Sequence, residues 1–298
     1  MPEQVDQIIN KIVGTEGVAT EITKNVEKYS DQQFYCDAKN QTNLNDFIDT
    51  EKPKLVALVG FVGVGKSTFI GSLYQQLIMN LDYYGYGFID SDTYVGFERR
   101  VFLRRVNDDN TSGTKRNILG ENDILHIKLK SNKGPKYHIL VSDKAGETYQ
   151  KYLSSDEAVE GDLVLKNADL IIFFIDGDAD SSGLAKHNLI IDNYSSMLTR
   201  LKEQKKIGET SNYIIVFTKI DKVTNDERKV KLAAREKEIV ALFEEKIGVA
   251  AEQIYKVNST DLNDKALNEV FALLLAPIVS TDAPKGLDWA KIEIETVI

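Results

Sequence analysis

The chain contains a single cysteine, Cys36, among 298 residues. No disulfide can close within it, and a lone thiol fits a reducing compartment. Histidine is scarce too. His126, His138 and His187 show no metal-ligand spacing, and the first two fall in strand-like runs where a structural role is expected. Basic charge is in deficit, with a formal net charge of −9, which sets the overall field against a nucleic-acid partner. No apolar run approaches the ~18 residues of a membrane span. The first residues are too polar for a signal peptide, Pro2 stands where myristoylation needs glycine, and no prenylation cysteine ends the chain. Internal repeats and low-complexity tracts are lacking. The expectation is a cytoplasmic protein without a membrane span.

The 42% of hydrophobic residues suffices for one large core with room for extensions. One stretch organises the rest. Leu55-Val-Ala-Leu-Val59 reads as a buried strand, and Gly60-Phe-Val62-Gly63-Val64-Gly65-Lys66-Ser67 fits G-x-x-x-x-G-K-S/T, the phosphate-binding loop. From Ser67 and Thr68 a helix begins, with Phe69, Ile70, Leu73, Leu77 and Ile78 on one face. Positive φ at Gly60, Gly63 and Gly65 is expected to turn successive N–H groups toward one anion. The helix start adds the positive end of its dipole. Lys66 is placed to reach the β- and γ-phosphates, and the Ser67 hydroxyl to ligate Mg²⁺. A bare glycine-rich strand-to-helix turn would not need the lysine and the hydroxyl together.

Residues 1–50 precede this strand. Val5, Ile8, Ile9, Ile12 and Val13 form one helical stripe, and Val18, Ile22 and Val26 a second, so a helical N-terminal extension is expected there. The main domain is assigned to 51–280 and a tail to 281–298, with Ile292 and Ile294 alternating as in an edge strand. Within the main domain, 81–121 is a long insertion. It carries the aromatic, glycine-rich Asp82–Phe88 and a helical stretch, Phe97–Val106, with Arg99, Arg100, Arg104 and Arg105. Further strands are predicted at Asp123–Leu129, Tyr137–Ser142, Ala168–Asp176, Tyr213–Thr218 and Ile254–Val257. Helices are predicted at 184–205, 225–246 and 262–277, and a polar helical segment after Glu147. Leu184 and Val230 are expected on buried faces. The alternation predicts an α/β fold, a doubly wound, mostly parallel sheet with ligand chemistry at the strands' C-terminal ends.

Two motifs at those ends select the nucleotide. Asp143-Lys-Ala-Gly146 ends a strand. Its aspartate can hold Mg²⁺ through a water, and the Gly146 N–H can meet a γ-phosphate. Thr218-Lys219-Ile-Asp221 ends another and resembles the N/T-K-x-D guanine motif of GTPases. An aspartate there accepts from guanine N1–H and the 2-amino group, while the lysine stem lies along the purine. Adenine lacks those donors. A helix N-cap is the competing role for Asp221. Ser259-Thr260 stands where such domains place backbone N–H groups on guanine O6.

In this order the motifs resemble a Ras-like, translation-factor-class P-loop GTPase domain over about 54–280. Tyr94-Val-Gly-Phe-Glu-Arg-Arg100 with Asp143-Lys-Ala-Gly-Glu147 is similar to the double-GTPase families of bacterial conflict and defence systems. The resemblance implies a GTP/GDP switch with Mg²⁺, hydrolysis by water attack, a protein effector or partner subunit, and a nucleotide-dependent dimer as one arrangement open to it. It also implies a threonine ahead of the second strand that binds Mg²⁺ and senses the γ-phosphate. Thr114 is the choice, Thr111 the runner-up, and Thr93 stands too early. Lys66, Thr114, Gly146 and Glu147 are thus the catalytic set. Glu147 departs from the glutamine that many relatives use to orient water, so slow hydrolysis is expected. The arginines of 99–105 offer an internal finger or a solvated basic face. The rival classes are a nucleotide-binding pseudo-GTPase scaffold and a P-loop ATPase or kinase.

Overall fold

The computed structural model describes residues 38–39, 53–106 (side chains through 101), 124–132, 134, 136–207, 212–248 and 253–277. Thr111, Thr114, Cys36, nearly all of the N-terminal extension and the whole 281–298 tail lie outside the described residues.

Seven strands form one sheet: β1 (Lys54–Val59), β2 (Tyr86–Asp90), β3 (Ile124–Ser131), β4 (Lys136–Ser142), β5 (Leu170–Asp176), β6 (Tyr213–Thr218) and β7 (Ile254–Lys256). Their order is β2-β3-β4-β1-β5-β6-β7. From β4 to β7 every pairing is parallel, whereas β3 runs antiparallel to both β2 and β4. β1 lies between β4 and β5, which are later in sequence, so its C-terminal end opens at a switch point of the winding.

The predicted strands and long helices are present, with ends shifted by up to three residues. The helices are α1 (Lys66–Met79), α2 (Tyr94–Val106), α3 (Gly146–Lys151), α4 (Asp156–Glu160), α5 (Leu163–Asn167), α6 (Gly177–Ser182), α7 (Leu184–Glu203), α8 (Asp226–Ile247) and α9 (Lys265–Leu275). Several features were not predicted, the short α6 directly after β5 among them. β2 is an edge strand inside the 81–121 insertion, built from the aromatic run Tyr86-Gly-Phe88. The segment after Glu147 is broken into three short helices, because Ser155 and Asp162 each cap a new start by accepting backbone N–H bonds. Leu184 and Val230 are exposed: Leu184 is the first residue of α7, and Val230 lies about 200° around α8 from buried Leu232.

Strand alternation sorts the core into two layers. Val56 and Leu58 of β1, with Ile172 and Phe174 of β5, pack beneath α1, α2 and α9. Leu55, Ala57 and Val59, with Ile171, Phe173 and Ile175, pack beneath α3–α5, α7 and α8. Both faces are covered, which is why these strands read as unbroken apolar runs.

One buried charge anchors the frame. The Lys54 ammonium, at the start of β1, donates to the carbonyls of Leu273 (2.9 Å), Leu274 (3.0 Å) and Ala276 (2.7 Å) at the C-terminus of α9. These are the acceptors that a helix end leaves open. Burial pushes the Lys54 pKa down from 10.5 to about 8, partly offset by Asp169. Between those values the unfolded chain holds the proton and the folded chain has released it, so stability rises with pH. The slope is at most about 1.4 kcal/mol per pH unit. The stability difference between wild type and Lys54→Met, read from urea midpoints, should therefore grow in favour of wild type from pH 8 to pH 10. A pH-independent difference would refute this.

Candidate nucleotide site

The loop between β1 and α1 has the backbone its glycines permit. Gly63 (φ 78°) and Gly65 (φ 97°) lie in the left-handed region, and Gly65 caps α1. Gly60 does not, contrary to expectation. Its reason is space: a Cβ there would meet Val64 Cγ2 at 2.8 Å and the Phe174 carbonyl at 3.0 Å.

Lys66 is buried, with Nζ 2.5 Å from the Gly60 carbonyl and 3.5 Å from that of Phe61. Its ammonium also lies 5.4 Å from the centroid of the Tyr149 ring. Burial lowers the Lys66 pKa to about 8, against the raising effect of Asp143 and Glu147. A phosphate brought to this ammonium would supply the negative charge that favours its protonated form.

Asp143 stands directly after β4 and is fully buried. Its Oδ2 accepts from Ser67 Oγ at 3.0 Å and from Arg100 Nε at 2.8 Å. The pairing of serine hydroxyl with carboxylate suits a hard cation. Among the described residues no group of three or more His, Cys, Asp or Glu is arranged to hold a metal ion. Mg²⁺ needs none, because it is held by one or two protein oxygens, with substrate phosphates and water completing its shell. Ser67 and Asp143 therefore fit the ion.

Gly146 is packed onto the loop itself. A Cβ there would lie 2.4 Å from Val62 N and 2.5 Å from Val62 Cα. Glu147 is half-buried beside it. Next to Asp143, Lys144 pairs with buried Asp162 at 2.7 Å.

The second motif also reaches the loop. Thr218 Oγ1 donates to the Val64 carbonyl at 2.6 Å and contacts the Ile175 carbonyl at 3.2 Å. Lys219 adopts left-handed φ (57°), and its ammonium is held by Asp176 Oδ2 at 2.6 Å. Asp221 lies exposed in a single 3₁₀ turn, Ile220–Lys222. It caps nothing: the N-cap of α8 is Asn225. Beyond β7, the Ser259 carbonyl accepts from Ser72 of α1, tying that loop to the same helix. The Thr260 N–H is taken by Asn258 Oδ1 at 3.0 Å.

These motifs are thus brought together at one edge of the sheet by the ends of β1, β4, β6 and β7. A family profile described as Double-GTPase 2 matches residues 54–273. The chain belongs to the Double-GTPase 2 family. No curated protein matches it. Similar solved structures include the GTPase-like domain of Ski7 from S. cerevisiae, bound to GDP and inorganic phosphate. It is 14% identical with a TM-score of 0.39, over 72% of this chain and 45% of that one. A bacterial selenocysteine-specific elongation factor, EF-Sec, is 17% identical (TM-score 0.40, 74% of this chain, 28% of that one). The signal recognition particle receptor SRb-GTP/SRX complex from Chaetomium thermophilum is 13% identical (TM-score 0.39, 75% and 98%). The chain spans less than half the length of the first two.

Sequence reading missed or left unassigned several residues of this Double-GTPase 2 site. Arg100 is buried against Asp143, whereas its neighbour Arg99 is exposed, so the arginine run is not one solvated face. Asp176, which anchors Lys219, was visible only as a polar end to an apolar strand. Tyr149 carried no signal. Its hydroxyl donates to the Leu58 carbonyl at 2.7 Å. Thr93, set aside as too early, is buried with its hydroxyl accepting from the His126 N–H.

Gly146→Ala should be disruptive, because the new methyl meets backbone that cannot swing aside. A loss of about 1–3 kcal/mol, the usual scale of overpacking, is expected in a denaturation midpoint. An unchanged midpoint would mean that the loop and the glycine are not in contact.

Proposed function

We propose that the chain is a guanine-nucleotide switch that hydrolyses GTP slowly, acting in the cytoplasm on a protein partner, as in a bacterial defence-type system. The observation that carries this reading is the bond from Thr218 Oγ1 to the Val64 carbonyl. It ties a base-reading motif to a phosphate-binding loop, so that one ligand with a base at one end and phosphates at the other satisfies both. Exposed Asp221 would accept from guanine N1–H and N2–H. Lys219, fixed at its tip by Asp176, would present its stem to the purine face. The Ser259–Thr260 loop would close the base pocket.

At the other end, the loop amides from Gly60 to Lys66 and the Lys66 ammonium would hold the phosphates and stabilise charge as a water attacks the γ-phosphorus in line. Ser67 and Asp143 would hold Mg²⁺, which supplies Lewis-acid neutralisation of the phosphate oxygens when bound. Gly146 N–H would donate to the γ-phosphate. Glu147 accepts from the water but cannot donate as an amide does, and it faces a phosphate of like charge. Thr114 is proposed as the further Mg²⁺ and γ-phosphate contact. Release of the γ-phosphate would change the surface offered to a partner, a nucleotide-dependent second copy included.

Fluorescent GDP in Mg²⁺ should bind and be competed by GTP but not by ATP. The expected discrimination is ~10⁴-fold, since adenine would leave Asp221 without its partners. Asp221→Asn should shift preference toward xanthine nucleotides. Equal competition by ATP would return the chain to the ATPase or kinase class. For hydrolysis, Glu147→Gln is expected to accelerate single-turnover release of phosphate. A slower variant would instead make Glu147 the group that activates water.

A further inference from the structure

The steps above leave Arg100 without a task, yet it is 4% exposed and lies on the fully buried Asp143. A carboxylate withdrawn from water needs a cation. In this structure the guanidinium supplies one in direct contact. Its Nε donates to Oδ2, the same oxygen that receives the Ser67 hydroxyl. Its NH1 donates to the Gly96 carbonyl at 2.7 Å, which braces the side chain along its own helix, α2. The helix is itself clamped onto α1. Phe97 stacks on Tyr74 with ring centroids 4.7 Å apart and planes 11° from parallel. Gly71 brings Val101 close enough that an added Cβ would lie 3.5 Å from it. The guanidinium is therefore delivered to Asp143 by packing.

Ser67 and Asp143 are also the two side chains that fit Mg²⁺. A divalent ion bound between them would sit beside a guanidinium fixed on the same oxygen, with little water to screen the repulsion. The two cations are alternatives. We propose that Arg100 is a built-in competitor for the divalent cation: it holds Asp143 and Ser67 in the metal-free form and must withdraw for Mg²⁺ to bind with nucleotide, coupling metal loading to the position of α2. This rests on the guanine-nucleotide reading above.

The test uses the full chain as wild type, Arg100→Gln and Arg100→Lys. Two quantities are read: the Mg²⁺ concentration at which fluorescent GDP is half retained, and the melting temperature without nucleotide in EDTA and in Mg²⁺. Arg100→Gln removes the competitor and should lower the Mg²⁺ midpoint by ~10-fold or more, on the scale of a lost buried charge contact. It should melt lower than wild type in EDTA and regain more of that loss in Mg²⁺ than wild type gains. Arg100→Lys keeps a charge in the core but loses the rigid fork. It should lower the midpoint by less, and it serves if the glutamine variant does not fold. A purely structural arginine would depress both melting temperatures alike and leave the midpoint in place. Midpoints in both variants equal to or above that of wild type overturn the proposal. If wild type retains no GDP at any Mg²⁺ concentration, the guanine-nucleotide reading fails and this inference falls with it. If GDP is retained and the midpoints coincide, only this inference falls.

Discussion

A carboxylate with no exposure to water cannot stand alone, and the functional edge of this domain is arranged around that constraint at Asp143. β4 ends one residue earlier, and the chain leaves the sheet with two consecutive charged side chains, both buried. Asp143 turns to Arg100 of α2, on one face of the sheet. Lys144 turns to Asp162, the N-cap of α5, on the other. Breaking a buried pair by removing one partner typically costs about 3–5 kcal/mol. Two such pairs in tandem fix the exit of β4 relative to both helical layers. The placement of Gly146 on the Val62 backbone follows from that fixed exit.

The fold was legible because both faces of the parallel strands are covered. Burial on two sides makes runs such as Leu170–Ile175 continuously apolar, and few other elements look like that. The phosphate loop was legible for a similar reason: glycine, lysine and hydroxyl are each demanded by a separate contact. Hidden in the sequence were contacts between elements far apart in the chain. In the arginine run of α2, the spacing puts Arg100, three residues after Phe97, nearer the buried stripe than Arg99, but it does not reveal the carboxylate that Arg100 meets there. Tyr149 was hidden because its role, a hydroxyl on the Leu58 carbonyl and a ring near Lys66, exists only once α3 lies across the loop. β2 escaped because an aromatic, glycine-rich run of five residues at a sheet edge has neither the length nor the alternation of a core strand.

Lys66 and Lys54 show the same physics turned to different ends. Both are buried ammonium groups on or next to β1, with pKa values lowered to about 8 by desolvation. Lys54 spends its hydrogen bonds on three helix-terminal carbonyls and is structurally complete. Lys66 is turned back on the carbonyls of its own loop, with the carboxylates of Asp143 and Glu147 as the charges that favour its protonated form. The first joins a strand to a helix end, and the second holds a charge beside the loop.

That difference bears on how such a domain could respond to a third phosphate. The segment after β4 is tethered at Asp143, at Lys144 and again at Tyr149, leaving only Gly146 and Glu147, with Ala145 and Thr148, between fixed points. A stretch held this closely at both ends cannot make a large excursion without breaking a buried ion pair. On the proposed reading, the response of these described residues to a γ-phosphate would be confined to small movements of Gly146 and Glu147 over the loop, unless one tether gives way. The tether with a ready substitute is Arg100, because a metal ion can take over its neutralisation of Asp143. Lys144 has no such replacement at Asp162. If Arg100 is that competitor, larger movement would be directed through α2 rather than through α3–α5, and nucleotide binding would reach the protein's surface along the arginine-bearing helix.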